Sequence, residues 1–140
     1  MAAFAEFDQY LTDSSSDDYW SDEGILQARV IVHGFNDEDW ESLNESWRER
    51  DESWQTRCAQ VLSHGAPQHA VAIVLGMVGS QHEESRIAAF DSLREMDLSY
   101  LEAHDLDRIA MSIDQSLKSA SPIECSVLNA LKLQLLALRK

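Results

Sequence analysis

The chain has 140 residues, 44% of them hydrophobic, which suits one domain with its own core rather than a disordered tail. Its 25 acidic side chains against 11 lysines and arginines give a formal charge of −14. That balance excludes simple electrostatic attraction to phosphate backbones or anionic membranes and makes a basic protein the natural partner.

The opening, MAAFAEFDQY, lacks the basic and apolar regions of an export leader, so a cytoplasmic protein is expected. Phe4, Phe7 and Leu11 fall at i, i+3 and i+7 and predict a short first helix. Thr12 to Gly24, dense in Ser and Asp, reads as a loop. The stretch ARVIVHGF is the one segment with β-branched density; it is either an edge strand or the end of a helix, Ile25 to His33, stopped by Gly34. Asn36 or Asp37 is a sound N-cap for a long helix over residues 37–62.

Pro67 then opens an apolar helix to Val78, the longest apolar run yet far short of the roughly 20 residues a membrane span needs. Ser80 with Glu83 has capping-box spacing for the next helix, Asp105 can cap another that carries Ile109 and Ile113, and Ser121-Pro122-Ile123-Glu124 starts the last. That final helix, through Leu138, is apolar nearly all round and is expected to be largely buried. Ala70, Ile73 and Met77 recur as Ala110, Ile113 and Leu117, a period near 40 that is in the range of HEAT-type helix pairs. The expected fold is all-α: a single-domain helical bundle over residues 1–140, irregular or with two HEAT-like pairs in its second half.

The charge is uneven. Residues 1–55 hold fifteen acids and three bases, net −12, which leaves ten acids and eight bases, net −2, for the rest. All four tryptophans lie in the acidic part. In an unbroken helix Trp40, Trp47 and Trp54, seven residues apart, drift by only about 20° per heptad and share one stripe. Glu38, Glu41, Glu45, Glu49 and Glu52 fall on an adjoining arc. Such a stripe is ordinarily core, and such a ladder ordinarily a solvated face. Asn44 and Asp51 beside the stripe are costly to bury, however, and the glutamates repel one another with little relief beyond Arg48. A basic partner removes that cost, and tryptophan flanked by carboxylates is interface composition. Asp17, Asp18, Asp22 and Glu23 around Trp20 repeat the theme.

Little points to chemistry. His64, His69 and His82 match no zinc spacing, LGMVGS lacks the lysine of a phosphate cradle, no serine sits in a G-x-S-x-G elbow, and no calcium-loop spacing is present. Cys58 and Cys125 read as two reduced thiols. No cofactor, metal or catalytic set is expected.

A small, helical, strongly acidic chain of this kind resembles the bacterial immunity proteins that neutralise toxins passed between competing cells, by size, charge and general character over its whole length. The resemblance implies a cognate, often basic, toxin, bound tightly so that its active site is blocked or its maturation prevented. The expected contact set is Asp17, Asp18, Trp20, Asp22, Glu23, Glu38, Trp40, Glu41, Glu45, Trp47, Glu49, Glu52 and Trp54. The alternatives are a nucleic-acid mimic of the anti-restriction or anti-nuclease type, and a HEAT-like scaffold or adaptor; an exposed aromatic stripe could instead be a homodimer interface.

Overall fold

The structure, a computed structural model, describes residues 3–13 and 17–138, and every regular element among them is helical. Helix α1 (Ala3–Thr12) buries Phe7 and Leu11, as the spacing predicts. The expected loop from Thr12 to Gly24 is corrected over its described residues. Helix α2 (Asp17–Tyr19), a π-helical turn (Trp20–Gly24) and α3 (Ile25–His33) follow one another directly. The wide turn, closed by the Ile25 N–H on the Trp20 carbonyl, turns Trp20 inward to 5% exposure. ARVIVHGF is helix rather than strand until Gly34, whose N–H bonds back to the Ile31 carbonyl.

Helix α4 (Asp37–Ser46) starts as expected. The Asn36 side chain accepts from the Asp39 N–H, and the Asp39 carboxylate accepts from the Asn36 N–H, each at 2.9 Å. The long helix over 37–62 does not form. The chain tightens into a 3-10 turn (Trp47–Glu49), becomes extended at Arg50, and restarts as α5 (Glu52–Leu62). Two side chains make the break stable. Asp51 caps α5 by accepting from the Trp54 N–H at 2.9 Å. The buried Gln55 carboxamide donates to the carbonyls of Trp47 and Arg50 at 3.2 and 3.0 Å, satisfying groups that the break orphans.

Helices α6 (Pro67–Met77), α7 (Glu83–Glu95), α8 (Ala103–Leu117) and α9 (Pro122–Leu138) complete the chain, with a 3-10 turn (Leu98–Tyr100) before α8. Pro67 opens α6, and Ser121 caps α9 by accepting from the Glu124 N–H at 3.2 Å. Two expected caps are displaced. The residue that caps α7 is His82, whose N–H donates to Ser80 Oγ at 3.1 Å, and Asp105 sits inside the first turn of α8 behind Glu102. The pairs α6/α7 and α8/α9 differ in construction: α6 is buried on most sides, whereas α8 buries one stripe of Ile109 and Ile113.

Helix α5 is the axis of the fold, packed on α1, α3, α6 and α7, and one core runs from Phe7 to Leu135. The broken helix lets each tryptophan reach a different neighbour. Trp40 meets Phe35 edge to face and stacks on His69, Trp47 lies against α6, and Trp54 meets Phe7. Two seats need the absence of a side chain. A Cβ at Gly65 would stand 2.5 Å from Trp40 Cη2, and one at Gly76 would stand 2.9 Å from Trp47 Cζ2.

Buried charge ties distant elements together. Asp39, 3% exposed, also accepts from the Phe4 N–H at 2.9 Å, so it holds the start of α1. Asp8 takes a two-pronged contact from Arg50 at 2.9 and 2.8 Å and a third from Trp54 Nε1 at 3.1 Å. Glu124, 1% exposed, pairs with Arg86 at 3.1 Å and pins α9 to α7. The expectation that α9 is largely buried is corrected. It packs only on α7 and α8 to any extent, and it leaves Ile123, Leu133 and Leu136 at 70%, 69% and 51% exposure.

Gly65→Ala should cost about 1–3 kcal/mol, because the Trp40 ring has no room to retreat. Gly79→Ala, whose new methyl meets only the Gly76 carbonyl at 3.5 Å, should stay within about 0.5 kcal/mol. Equal losses in urea titrations of the two variants would contradict the seating. Arg86→Met, which leaves Glu124 buried without its counter-charge, should lose about 3 kcal/mol. Adding Glu124→Gln should recover part of that loss; a single variant as stable as the parent would show that the pair contributes nothing.

Candidate functional site

The aromatic half of the expected contact face is core. Trp20, Trp40, Trp47 and Trp54 are 5%, 4%, 4% and 3% exposed, so none presents a surface a partner could grip. Their indole nitrogens confirm an inward role for two of them: Trp20 Nε1 donates to Gln60 Oε1 at 2.7 Å, and Trp54 Nε1 donates to Asp8. The stripe geometry that suggested a face assumed a straight helix, and the break at Trp47 to Asp51 removes it.

The carboxylates are exposed but not gathered as a single ladder. Glu38, Glu41 and Glu45 project from α4, which packs on α1 and α6. Glu49 lines a shallow concavity of about 460 Å³ beside Leu11, Thr12 and Arg50. Asp18, Asp22 and Glu23 lie exposed at the π-helical turn, and the Asp17 side chain lies outside the described residues. Of the predicted carboxylates Glu52 alone enters the main groove, and of the predicted tryptophans Trp20 alone lines it.

That groove, about 1250 Å³ and open to solvent, runs along α5 between α3 and α7. Its α3 side is Trp20, Ser21, Ile25 and Arg29. Its floor is Thr56, Arg57 and Gln60 of α5, with Asp51 and Glu52 at the helix start. The α7 wall carries Glu83, Glu84, Asp91 and Glu95, with Ile87, Ala88 and Ser92 between them. Ile123 closes one end. Glu84, Asp91 and Glu95, at i, i+7 and i+11, share one line of the α7 surface. This spacing is legible in the sequence, yet nothing local says that the line faces α5.

Six carboxylates therefore meet two arginines around one groove. Several are already engaged: Asp91 pairs with Arg94 at 2.8 Å, Glu95 accepts from Ser63 Oγ at 2.9 Å, and Glu52 lies 3.5 Å from His82. Glu83 and Glu84 have no basic side chain in ion-pair reach among the described residues. Arg57 is buried with its guanidinium 4.9 Å over the Trp20 ring, so the tryptophan supports the floor from beneath. Close to Arg29, His64 is held below its ordinary pKa, first by burial and then by the Arg29 charge, which favours a neutral ring there. Cys58, fully buried in α5, has its thiol pushed up by desolvation and is a packing residue.

Among the described residues no group of three or more His, Cys, Asp or Glu is placed to hold a metal ion, and no helix is long and apolar enough to cross a membrane. The groove's assets are negative charge, apolar patches on its walls at Ile25, Ile87 and Ala88, and length. With the tryptophans in the core, emission should be blue-shifted from that of free tryptophan and should resist acrylamide. Red-shifted, readily quenched emission from a variant keeping only Trp40 or Trp47 would restore the exposed stripe.

No protein-family model matches the sequence, no curated protein matches it, and no solved structure matches its fold.

Proposed function

We propose that the chain is an inhibitor of the immunity type, which binds a basic protein toxin and neutralises it by occupying the surface the toxin uses. The observation that carries this reading is the α5/α7 groove, with Glu83 and Glu84 unneutralised on its wall and a net charge of −14 behind them. Such a field steers a lysine- or arginine-rich surface and rejects anionic ligands. Ile25, Ile87 and Ala88 on its walls give the contact apolar surface from which water is excluded once it forms. Binding is the natural use of such a site, because its carboxylates stand in open solvent. The exposed acids of α4 and the π-helical turn contribute to attraction at long range, while the tryptophans act indirectly by holding α5 and Arg57 in place.

The test is titration of basic toxin domains into the protein by calorimetry over a salt series. One toxin is expected to bind tightly, with affinity falling as salt rises, and changing Glu52, Glu83, Glu84, Asp91 and Glu95 to their amides should weaken it about tenfold or more. Undiminished affinity in that variant, together with salt-independent association, would overturn the proposal. Comparable inhibition of several unrelated DNA-binding proteins would replace it with a nucleic-acid mimic.

A further inference from the structure

Helix α9 carries two rows of side chains, one packed and one open to solvent. Glu124, Leu128, Leu131 and Leu135, spaced four, three and four apart, are buried, and α7 and α8 are the helices that pack on α9. Ile123, Ser126, Ala130, Leu133 and Ala137 repeat that three-and-four spacing on the other side of the helix, about 150° away. Ala130 is half-buried and the other four are exposed, with Ile123 and Leu133 among the most exposed aliphatic side chains of the molecule. A largely apolar row at heptad spacing is the pattern by which helices pair.

The open row is also free of charge. The charged side chains of α9 are Glu124, which is buried and paired with Arg86, and Lys132, which lies 3.6 Å from Asp114. Met111 of α8 is equally exposed, but its neighbours one and two turns away on that face are His104, Asp107, Asp114 and Lys118. A basic partner gains nothing electrostatic from an uncharged row and is drawn to the acids elsewhere. For a second copy of a chain of net charge −14, the same row is where like-charge repulsion is least.

The row is complementary to itself as well. Laid against another α9 in the reverse direction, it sets Ile123 opposite Leu133 at both ends and Ser126 opposite Ala130 at both positions between. Two bulky pairs then flank two small ones, and the small ones let the helices approach closely. Reversal also puts opposite ends of the two helix dipoles side by side, which a parallel pair does not.

We infer that this row is the contact of a weak, antiparallel homodimer, α9 on α9 about a two-fold axis. The overlap from residue 123 to residue 133 is roughly 15 Å long. That is too short to bury the roughly 800 Å² per partner of a stable interface, so the pair is of the transient class, with a dissociation constant on the order of 100 µM. Ile123, which closes one end of the groove, does so from within this contact, and the pairing thereby touches the site. It needs no toxin, and stands or falls apart from the inhibitor reading.

Sedimentation equilibrium of the full chain from about 10 µM to about 1 mM should show the mass rising from that of one chain toward that of two. Raising salt from about 0.05 M to about 0.5 M should strengthen the association severalfold by screening the repulsion between like-charged copies, the opposite sign to capture of a basic protein. Leu133→Asp should weaken it at least about tenfold, because the two-fold axis makes one substitution count twice. Leu133 is exposed, so the helix content and urea midpoint of that variant should stay at the parent's values. Met111→Asp, on the charged face of α8, should change the association by less than about twofold. In a Cys125→Ser background, with Cys58 buried, a mixture of Ser126→Cys and Ala130→Cys should oxidise to a covalent dimer at least about fivefold faster than either alone, since only the mixture brings two thiols face to face. A single-chain mass at every concentration and salt, an association that falls as salt rises, or a Leu133→Asp variant that still pairs would overturn the inference. Cross-linking of Ala130→Cys alone that outpaces the mixture would overturn the antiparallel arrangement.

Discussion

The carboxamide of Gln55 holds together the place where the fold turns. Its two hydrogen bonds, to the carbonyls of Trp47 and Arg50, occupy groups that would otherwise be orphaned at the end of one helix and the start of the next. Without that arrangement the chain from Asn36 to Leu62 would run straight, and its three tryptophans would point one way. With it, Trp40 and Trp47 settle on Gly65 and Gly76 while Trp54 packs against Phe7. Helix α5 is thereby freed to pass through the middle of the molecule. The groove follows from that placement, since its floor is a strip of α5 left open between α3 and α7.

The acidic composition has two separate uses. Asp8, Asp39 and Glu124 are structural: each is anchored by a guanidinium or by backbone N–H groups and joins elements far apart in sequence. The exposed acids have no such partner in most cases and raise the energy of the compact chain by mutual repulsion. A protein that keeps such a surface retains a standing attraction for cations, and its strength depends on ionic strength rather than on any single contact.

Much of the fold was legible from local signals. Phe4, Phe7 and Leu11, the Asn36 cap, Pro67 and Ser121-Pro122 each fix an element through a nearest-neighbour effect, which sequence displays directly. The failures share a different cause. Asp51 is a good N-cap, yet its signal lies inside a pattern equally compatible with one long helix; the bonds of the buried Gln55 carboxamide, invisible in the sequence, complete the break. Apolarity alone suggested a buried α9, but among the described residues only α7 and α8 pack on it to any extent, and which neighbours a helix finds is a long-range fact. Composition pointed to the first 55 residues as the contact face; the proposed groove takes its floor from α5 and one wall from α7. The spacing of Glu84, Asp91 and Glu95 puts them on one line of a helix, but their facing α5 is a long-range fact.

Helix α8 packs chiefly on α9, and α9 reaches the remainder through α7 and the Arg86 to Glu124 pair. The molecule is therefore graded in local stability: a tightly interlocked block around α5, and a rear pair attached along one seam. Local opening free energies track such differences in packing, so amide exchange should be fastest in α8 and α9 and slowest in α5. Because Ile123, in the first turn of α9, closes one end of the groove, loosening the seam would lengthen the channel without disturbing its floor. The groove's length is thus set by the least firmly held part of the protein.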